Sequence, residues 1–308
     1  MNAPRQYTVV GLGEVLWDIF PDGKQLGGAP ANFAAMAAAL GDRGVIASRI
    51  GEDALGERAL DRWRQRNVEV SFIQRDPRHE TGTVRVDLDD RGQPEFTITE
   101  NVAWDYLEWT PQWHRLATRA DVVCFGTLAQ RAPRSRQTIR RFLEATRPDC
   151  LRLFDVNLRS SYYSVELLRR SFQRAEVAKL NDEELFRVTD LMGFGEHDLA
   201  ARAEQLRRTF NLTLVCITRG ARGSLLVAEG ETIEHPGITV DVVDTVGAGD
   251  AFTAALAYHL LRRASFTLMS EAANRLGALV AARRSATPTL DEDVLEQVRR
   301  PVAQREPR

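Results

Sequence analysis

The chain has 308 residues, 44% of them hydrophobic, enough to fill one large α/β domain or two modest ones. Its 41 basic and 43 acidic residues are spread along the length and leave a net charge of −2, so no summed field draws in nucleic acid or a membrane surface, and neither is expected as a partner. Three cysteines cannot pair completely, Cys124 and Cys216 lie in apolar runs, and no stretch has a signal peptide's apolar core or the roughly 20 apolar residues of a membrane span; a small cytoplasmic enzyme is the expectation.

In chain order, short β-branched runs alternate with helical spacing. Strands are predicted at 8–11, 45–48, 121–125, 151–154, 175–178 and 212–217, and helices at 31–40, 54–66, 135–145 and 199–209. Such alternation specifies βαβ units around a mostly parallel, buried sheet, an α/β fold. After Asp250 the apolar spacing is helical through 251–261 and 272–282. One segment breaks the rhythm: 83–89 and 94–99 alternate apolar with polar residues around the turn cluster Asp89-Asp-Arg-Gly-Gln93, which reads as a two-sided hairpin. Such an insertion is either a lid over a site or a surface excursion. The arginine-rich stretches 131–141 and 299–308 read as solvated helix faces and a loose tail. No repeat, low-complexity region or linker marks a second domain.

The most informative stretch is Asp241-Val-Val-Asp-Thr-Val-Gly-Ala-Gly-Asp250, a strand-like run passing through Gly-Ala-Gly into an apolar helix. Glycines let a backbone approach an anion closely, and the N–H groups of a first helical turn point outward, so a phosphoryl group can be held at Gly247, Ala248 and Gly249. A carboxylate at Asp250 is badly suited to binding phosphate and well suited to taking a proton from a hydroxyl that attacks it. An ordinary N-cap aspartate explains Asp250 equally well when the loop is viewed alone.

Further loops open at the same kind of junction. Gly27-Gly28-Ala-Pro-Ala-Asn32 leads into a helix, and Asn32 offers both a donor and an acceptor to a polyhydroxylated ligand or simply faces solvent. Asp18, in Gly13-Glu-Val-Leu-Trp-Asp18, follows the first strand near the end at which open α/β sheets bind ligands, or is a turn residue. Thr218-Arg-Gly220-Ala-Arg-Gly223 links two strand-like runs as a loop over a nucleotide phosphate does. Asp155-Val-Asn157-Leu-Arg159 offers an arginine to counter phosphate charge. Lys179-Leu-Asn181-Asp-Glu-Glu184 offers Asn181 and Glu184 to orient a hydrated Mg²⁺, and equally reads as a helix cap with an acidic first turn.

These motifs, in order and across nearly the whole chain, resemble the ribokinase-like (PfkB) carbohydrate kinases. Asp244-Thr-Val-Gly-Ala-Gly-Asp250 and the Gly27-Gly28…Asn32 loop match the two family signatures. Gly13-Glu-Val-Leu-Trp-Asp18, Leu26-Gly-Gly-Ala-Pro-Ala-Asn32, Asn101-Val-Ala-Trp-Asp105 and Phe154-Asp-Val-Asn-Leu-Arg159 are similar to the fructokinase branch. The resemblance implies one domain over 1–308, a mostly parallel sheet flanked by helices, and a small β-lid with strands from about 14–26 and 80–104. It implies transfer of the γ-phosphoryl of Mg-ATP to a sugar hydroxymethyl, fructose first. Asp250 becomes the base, the amides of Gly247, Ala248 and Gly249 an anion hole, and Arg159 a neighbour of sugar and transferred phosphate. Asp18, Gly27, Gly28 and Asn32 bind sugar. Asn181, Thr218, Gly220, Gly223 and Asn274 line the nucleotide, and Glu184 holds Mg²⁺ through water. Asp244 and residues 281–286 are candidates for a monovalent cation such as K⁺, although Ser285 stands where the family commonly has glycine. His79-Glu80-Thr81-Gly82 likewise replaces a more usual proline-threonine-glycine at the lid's start.

The rival within the class is a 2-keto-3-deoxygluconate kinase. A non-catalytic sugar sensor would be expected to lack the base or the nucleotide loop. A dinucleotide-dependent oxidoreductase needs a third glycine that Gly11-Leu-Gly13-Glu-Val-Leu16 lacks. Neither a Gly-x-x-x-x-Gly-Lys-Ser/Thr loop nor a protein-kinase signature is present. An exposed lid with an apolar face would suit pairing of two copies.

Overall fold

A computed structural model describes residues 5–88, 94–195 and 198–300. The chain opens with β1 (Thr8–Leu12), β2 (Leu16–Phe20), β3 (Gly23–Gly27), α1 (Ala29–Ala39), β4 (Arg43–Gly51), α2 (Ala54–Arg64) and β5 (Ile73–Asp76). Next come β6 (Gly82–Leu88), β7 (Pro94–Ile98), α3 (Pro111–Ala117), β8 (Val122–Phe125), α4 (Pro133–Glu144), β9 (Leu151–Asp155), α5 (Val165–Phe172), β10 (Val177–Asn181), α6 (Asp182–Leu191) and α7 (Leu199–Phe210). The last third holds β11 (Leu214–Thr218), β12 (Ser224–Ala228), β13 (Glu231–His235), α8 (Ala248–Leu261), α9 (Phe266–Ala281) and α10 (Glu292–Arg299).

Nine strands form one sheet in the order β13-β12-β11-β10-β9-β8-β1-β4-β5. Pairing is parallel from β5 to β11 and antiparallel at β12 and β13. Alternate residues of each strand enter opposite layers, as a period of two requires. Val10, Val123 and Phe154 join the layer of α3 to α7, whereas Val9, Val122 and Leu153 join that of α1, α8, α9 and α10. The loops after β1, β8, β9, β10 and β11 therefore emerge along one edge. The order reverses between β1 and β8, the point at which open α/β sheets bind ligands.

A second sheet, β3-β2-β6-β7, stands beside the first. The expected hairpin forms as β6 and β7, with its turn cluster outside the described residues. Its partners β2 and β3 are too short to show a period, and they place Asp18 inside a strand rather than in a turn. Trp17 anchors this sheet from below, fully buried among Val15, Ile46 and Leu60, with its indole N–H donated to the Leu55 carbonyl. The start of β6 is tied down at Thr81, whose N–H and hydroxyl both reach the Asp53 carboxylate (2.7 and 2.9 Å). There His79 stacks on Tyr106 and pairs with Asp76.

Several expectations change. Helix α1 starts at Ala29, because Pro30 is well suited to a first turn where no N–H is needed. The strand expected at 175–178 runs Val177–Asn181, since Ala175 still closes the turn after α5. Arg131 is no solvated side chain: it is buried, paired with Asp105 and stacked over Trp104. Arg299 is likewise fixed, bonding the Ala39 and Leu40 carbonyls at the end of α1. Cys124, Cys150 and Cys216 are all buried and free. Among the described helices none is long and apolar enough to cross a membrane.

Candidate active site

Asp250 sits in the first turn of α8, entered through Gly247 at φ 79°. A Cβ at Gly247 would lie 2.3 Å from the Ala286 carbonyl oxygen, so only glycine passes. Helices α1 and α8 pack together, which brings buried Asn32 to Asp250: its amide donates to the carboxylate at 2.8 Å. Asn32 is therefore not a solvent residue, and its Oδ1 is buried without a partner. Of the three amides expected to form the anion hole, that of Ala248 already donates to the Thr245 carbonyl at 3.2 Å. Gly247 and Gly249 are then the more available donors.

Beneath this turn lies a charge cluster that the sequence reading did not assign. Asp155, at the end of β9, accepts from the Lys179 ammonium of β10 at 3.2 and 3.3 Å and from the Thr253 hydroxyl of α8 at 3.1 Å. Lys179 is buried, and a Cβ at Gly249 would stand 3.0 Å from its Nζ, so a cation lies close to the Gly249 backbone. Asp155 and nearby carboxylates hold its pKa above the ordinary value despite burial. Glu14, in the loop after β1, is also buried, with Oε2 lacking a partner. Burial pushes Glu14 up to about 7, with Asp250 adding to the rise against the hydrogen bond from its own N–H, the Arg159 charge and the Ala29 N–H. Burial also raises Asp250 to about 6, helped by Asp155 and opposed by Asn32, Lys179 and Arg159. The one available signal for Glu14 and Lys179 is a charge inside an otherwise apolar run; what surrounds each depends on pairings far apart in sequence.

Asp18 lies against Gly27, where a Cβ would approach its Oδ2 to 2.6 Å, and Gly28, at φ 109°, passes 2.4 Å from the Glu14 carbonyl by the same measure. Burial raises Asp18 to about 6, Arg159 lowers it and Asp244 raises it, which puts all three within one electrostatic neighbourhood. Arg159 itself is exposed, in a loop held by left-handed Asn157 and Ser160.

The residues expected beside the nucleotide divide. Asn181 caps α6 by accepting the Glu184 N–H (2.7 Å), and Glu184 accepts the N–H of Asn181 (2.9 Å) and that of Leu158 (2.8 Å). Both carboxylate oxygens thus hold backbone, tying α6 to the Arg159 loop, and their remaining lone pairs suit water rather than direct metal ligation. Among the described residues no group of three or more His, Cys, Asp or Glu is arranged to hold a metal. Thr218 ends β11, and Gly220 and Gly223 are both left-handed, Gly223 pressed against the His235 carbonyl. Asn274 of α9 joins this loop through Ser224, donating to its Oγ at 2.7 Å. Asp244 and Val243 donate their N–H groups to the Ala281 carbonyl, so the two expected cation segments do meet. Ser285, between them and Gly247, adopts φ 84°.

The loops that carry Glu14, Arg159, Asn181 and Thr218 leave one edge of the large sheet, after β1, β9, β10 and β11. A model of the pfkB family carbohydrate kinases matches residues 16–293. A putative sugar kinase of Pyrococcus horikoshii is 30% identical over 273 residues, 87% of this chain and 85% of that protein. A fructokinase of Escherichia coli is 30% identical over 299 residues, 91% and 94% of the two chains. Among solved structures, the Vibrio cholerae fructokinase bound to fructose, ADP and calcium superposes with a TM-score of 0.80 at 26% identity, covering 95% of this chain and 99% of that one. With the mostly parallel sheet, flanking helices and ribokinase-like neighbours agreeing, the chain belongs to the pfkB family of carbohydrate kinases.

Proposed function

We propose that this sugar kinase phosphorylates the hydroxymethyl group of a free ketose, fructose first, with Asp250 as the base. The observation that carries the reading is the Asp250 carboxylate at the N-terminus of α8, oriented by Asn32 and raised to about 6. At that value it is ionised at neutral pH yet basic enough to take a proton as the hydroxyl attacks. The proton passes to Asp250, the hydroxyl oxygen bonds phosphorus, and the bond to the nucleotide's bridging oxygen breaks. The Gly247 and Gly249 amides, with the Lys179 ammonium close to Gly249, steady the charge on the transferred group.

Asp18, Gly27, Gly28 and Asn32 hold sugar hydroxyls in this reading, and Arg159 swings over the transferred phosphate. Asn181 and Glu184 would hold Mg²⁺ through its bound water, and the ion would neutralise nucleotide phosphate charge. Thr218, Gly220, Gly223 and Asn274 line the nucleotide. Asp244 with residues 281–286 offers carbonyl and carboxylate oxygens to a monovalent cation. The β2, β3, β6 and β7 sheet closes over the sugar and excludes water, the competing acceptor.

The E. coli and V. cholerae relatives favour fructose. An aminoimidazole riboside kinase of Salmonella enterica, 26% identical with a TM-score of 0.76, makes ribosides the second class to assay. Coupled ADP release against fructose, 2-keto-3-deoxygluconate, ribose and ribosides tests the assignment: fructose should give the highest kcat/KM. A tenfold preference for another acceptor overturns the sugar, and no turnover with any of them favours a binding-only protein.

A further inference from the structure

Helices α4 and α5 lie on the same face of the large sheet and leave a cavity of about 250 Å³ between them. Its floor is apolar, made by Phe125 at the end of β8, Leu143 of α4 and Leu167 of α5. Its rim is cationic. Arg136 and Arg140 project from α4, facing Arg170 of α5 and Arg174 just beyond it. Arg136 and Arg140 are four residues apart on one helical face, where like charges repel.

Two carboxylates answer these four guanidinium groups. Glu144 is shared between Arg140 (3.0 Å) and Arg174 (3.1 Å), and Glu166 pairs with Arg170. Arg136 reaches only backbone carbonyls, at Gln130 (2.8 Å) and Arg131 (3.1 Å). The Nε of Arg174 is buried without a partner. Arginines gathered around an apolar floor, with charge left over, are complementary to a ligand with an anionic head and an apolar body. The volume suits a single ring or a short chain. The inner wall is also built: buried Gln130 donates to the Gly126 carbonyl (2.8 Å) and to the Ser171 hydroxyl (3.1 Å).

We propose that the α4–α5 cavity binds a small amphipathic anion, an apolar ring or short chain carrying one phosphate or carboxylate, at a site apart from the sugar and nucleotide loops. The arginine-rich 131–141 stretch is then in part a ligand surface.

Calorimetric titration of the full chain with phenyl phosphate, with and without a non-hydrolysable ATP analogue, tests it. One phenyl phosphate should bind per chain in both conditions. Inorganic phosphate should bind at least tenfold more weakly, and benzoate tells whether a carboxylate head is also accepted. The double substitution Arg136→Glu/Arg170→Glu should weaken phenyl phosphate at least tenfold and leave affinity for the ATP analogue unchanged. If that protein fails to fold by its thermal melt, Arg136→Gln/Arg170→Gln should still weaken binding several-fold. Absence of saturable binding, displacement by the ATP analogue, equal affinity for inorganic phosphate, or unchanged affinity in the folded double variant would overturn the proposal.

Discussion

Asp250 and Glu14 are carboxylates held in one buried neighbourhood where each disfavours the other's charge. Both bind their protons more tightly in the folded than in the unfolded chain. Ionising them therefore withdraws stability as pH rises from about 4 through folded values near 6 and 7. Glu14→Gln keeps an acceptor for the N–H groups and removes the charge, so it should stabilise the free protein at pH 8 by on the order of 2 kcal/mol. Near pH 4, where Glu14 is protonated in both states, the gain should vanish. Urea unfolding at the two pH values reads this directly, and an unchanged midpoint at pH 8 would refute the burial argument. Activity carries the matching signature. In the proposed mechanism Asp250 acts ionised, so kcat/KM should fall as pH drops through about 6. At this scale the Asp250 and Asn32 loops were legible as motifs. Their hydrogen bond, and the Asp155–Lys179 pair beneath them, were not, because each joins residues from different strands and helices.

At the level of elements, the entry into α8 is a tightly constrained piece of backbone. Gly247 passes against Ala286, and Ser285 next to it takes a left-handed φ of 84° that suits glycine. Ser285→Gly should raise stability by about 1 kcal/mol, the relief of left-handed strain outweighing the extra freedom of the unfolded chain. Gly247→Ala should do the opposite, since a methyl group 2.3 Å from the Ala286 oxygen must displace the turn that presents the amides. A loss of at least about 100-fold in kcat is expected there, the scale of losing an oxyanion donor. Thermal melts and steady-state rates of the two variants separate strain from chemistry. Most strands were legible because parallel, doubly buried strands are continuous apolar runs. The five-residue strands β2 and β3 carry no period of their own, being joined by a tight turn and carrying Asp18, Lys24 and Gln25 on a partly exposed sheet, and were expected at about 14–26 only through the family resemblance.

For the whole molecule, alternating strands and helices announced a parallel sheet but gave no order for its strands. The order matters functionally, because it places β1 beside β8 and so brings Glu14, Asn32, Asp155 and Asp250 from four parts of the chain to one edge. It also puts β12 and β13 antiparallel at the far edge, where β12 begins at Ser224 beside the Gly220–Gly223 loop proposed for the nucleotide. The most direct test of this convergence is ADP release by Asp250→Asn beside the unaltered protein, with fructose and ATP binding measured on the same samples. The substitution keeps the side-chain shape and removes the base, so kcat should fall by about 10²–10⁴-fold while both ligands bind within a few-fold of normal. A near-normal kcat in the folded variant would contradict the account at its centre.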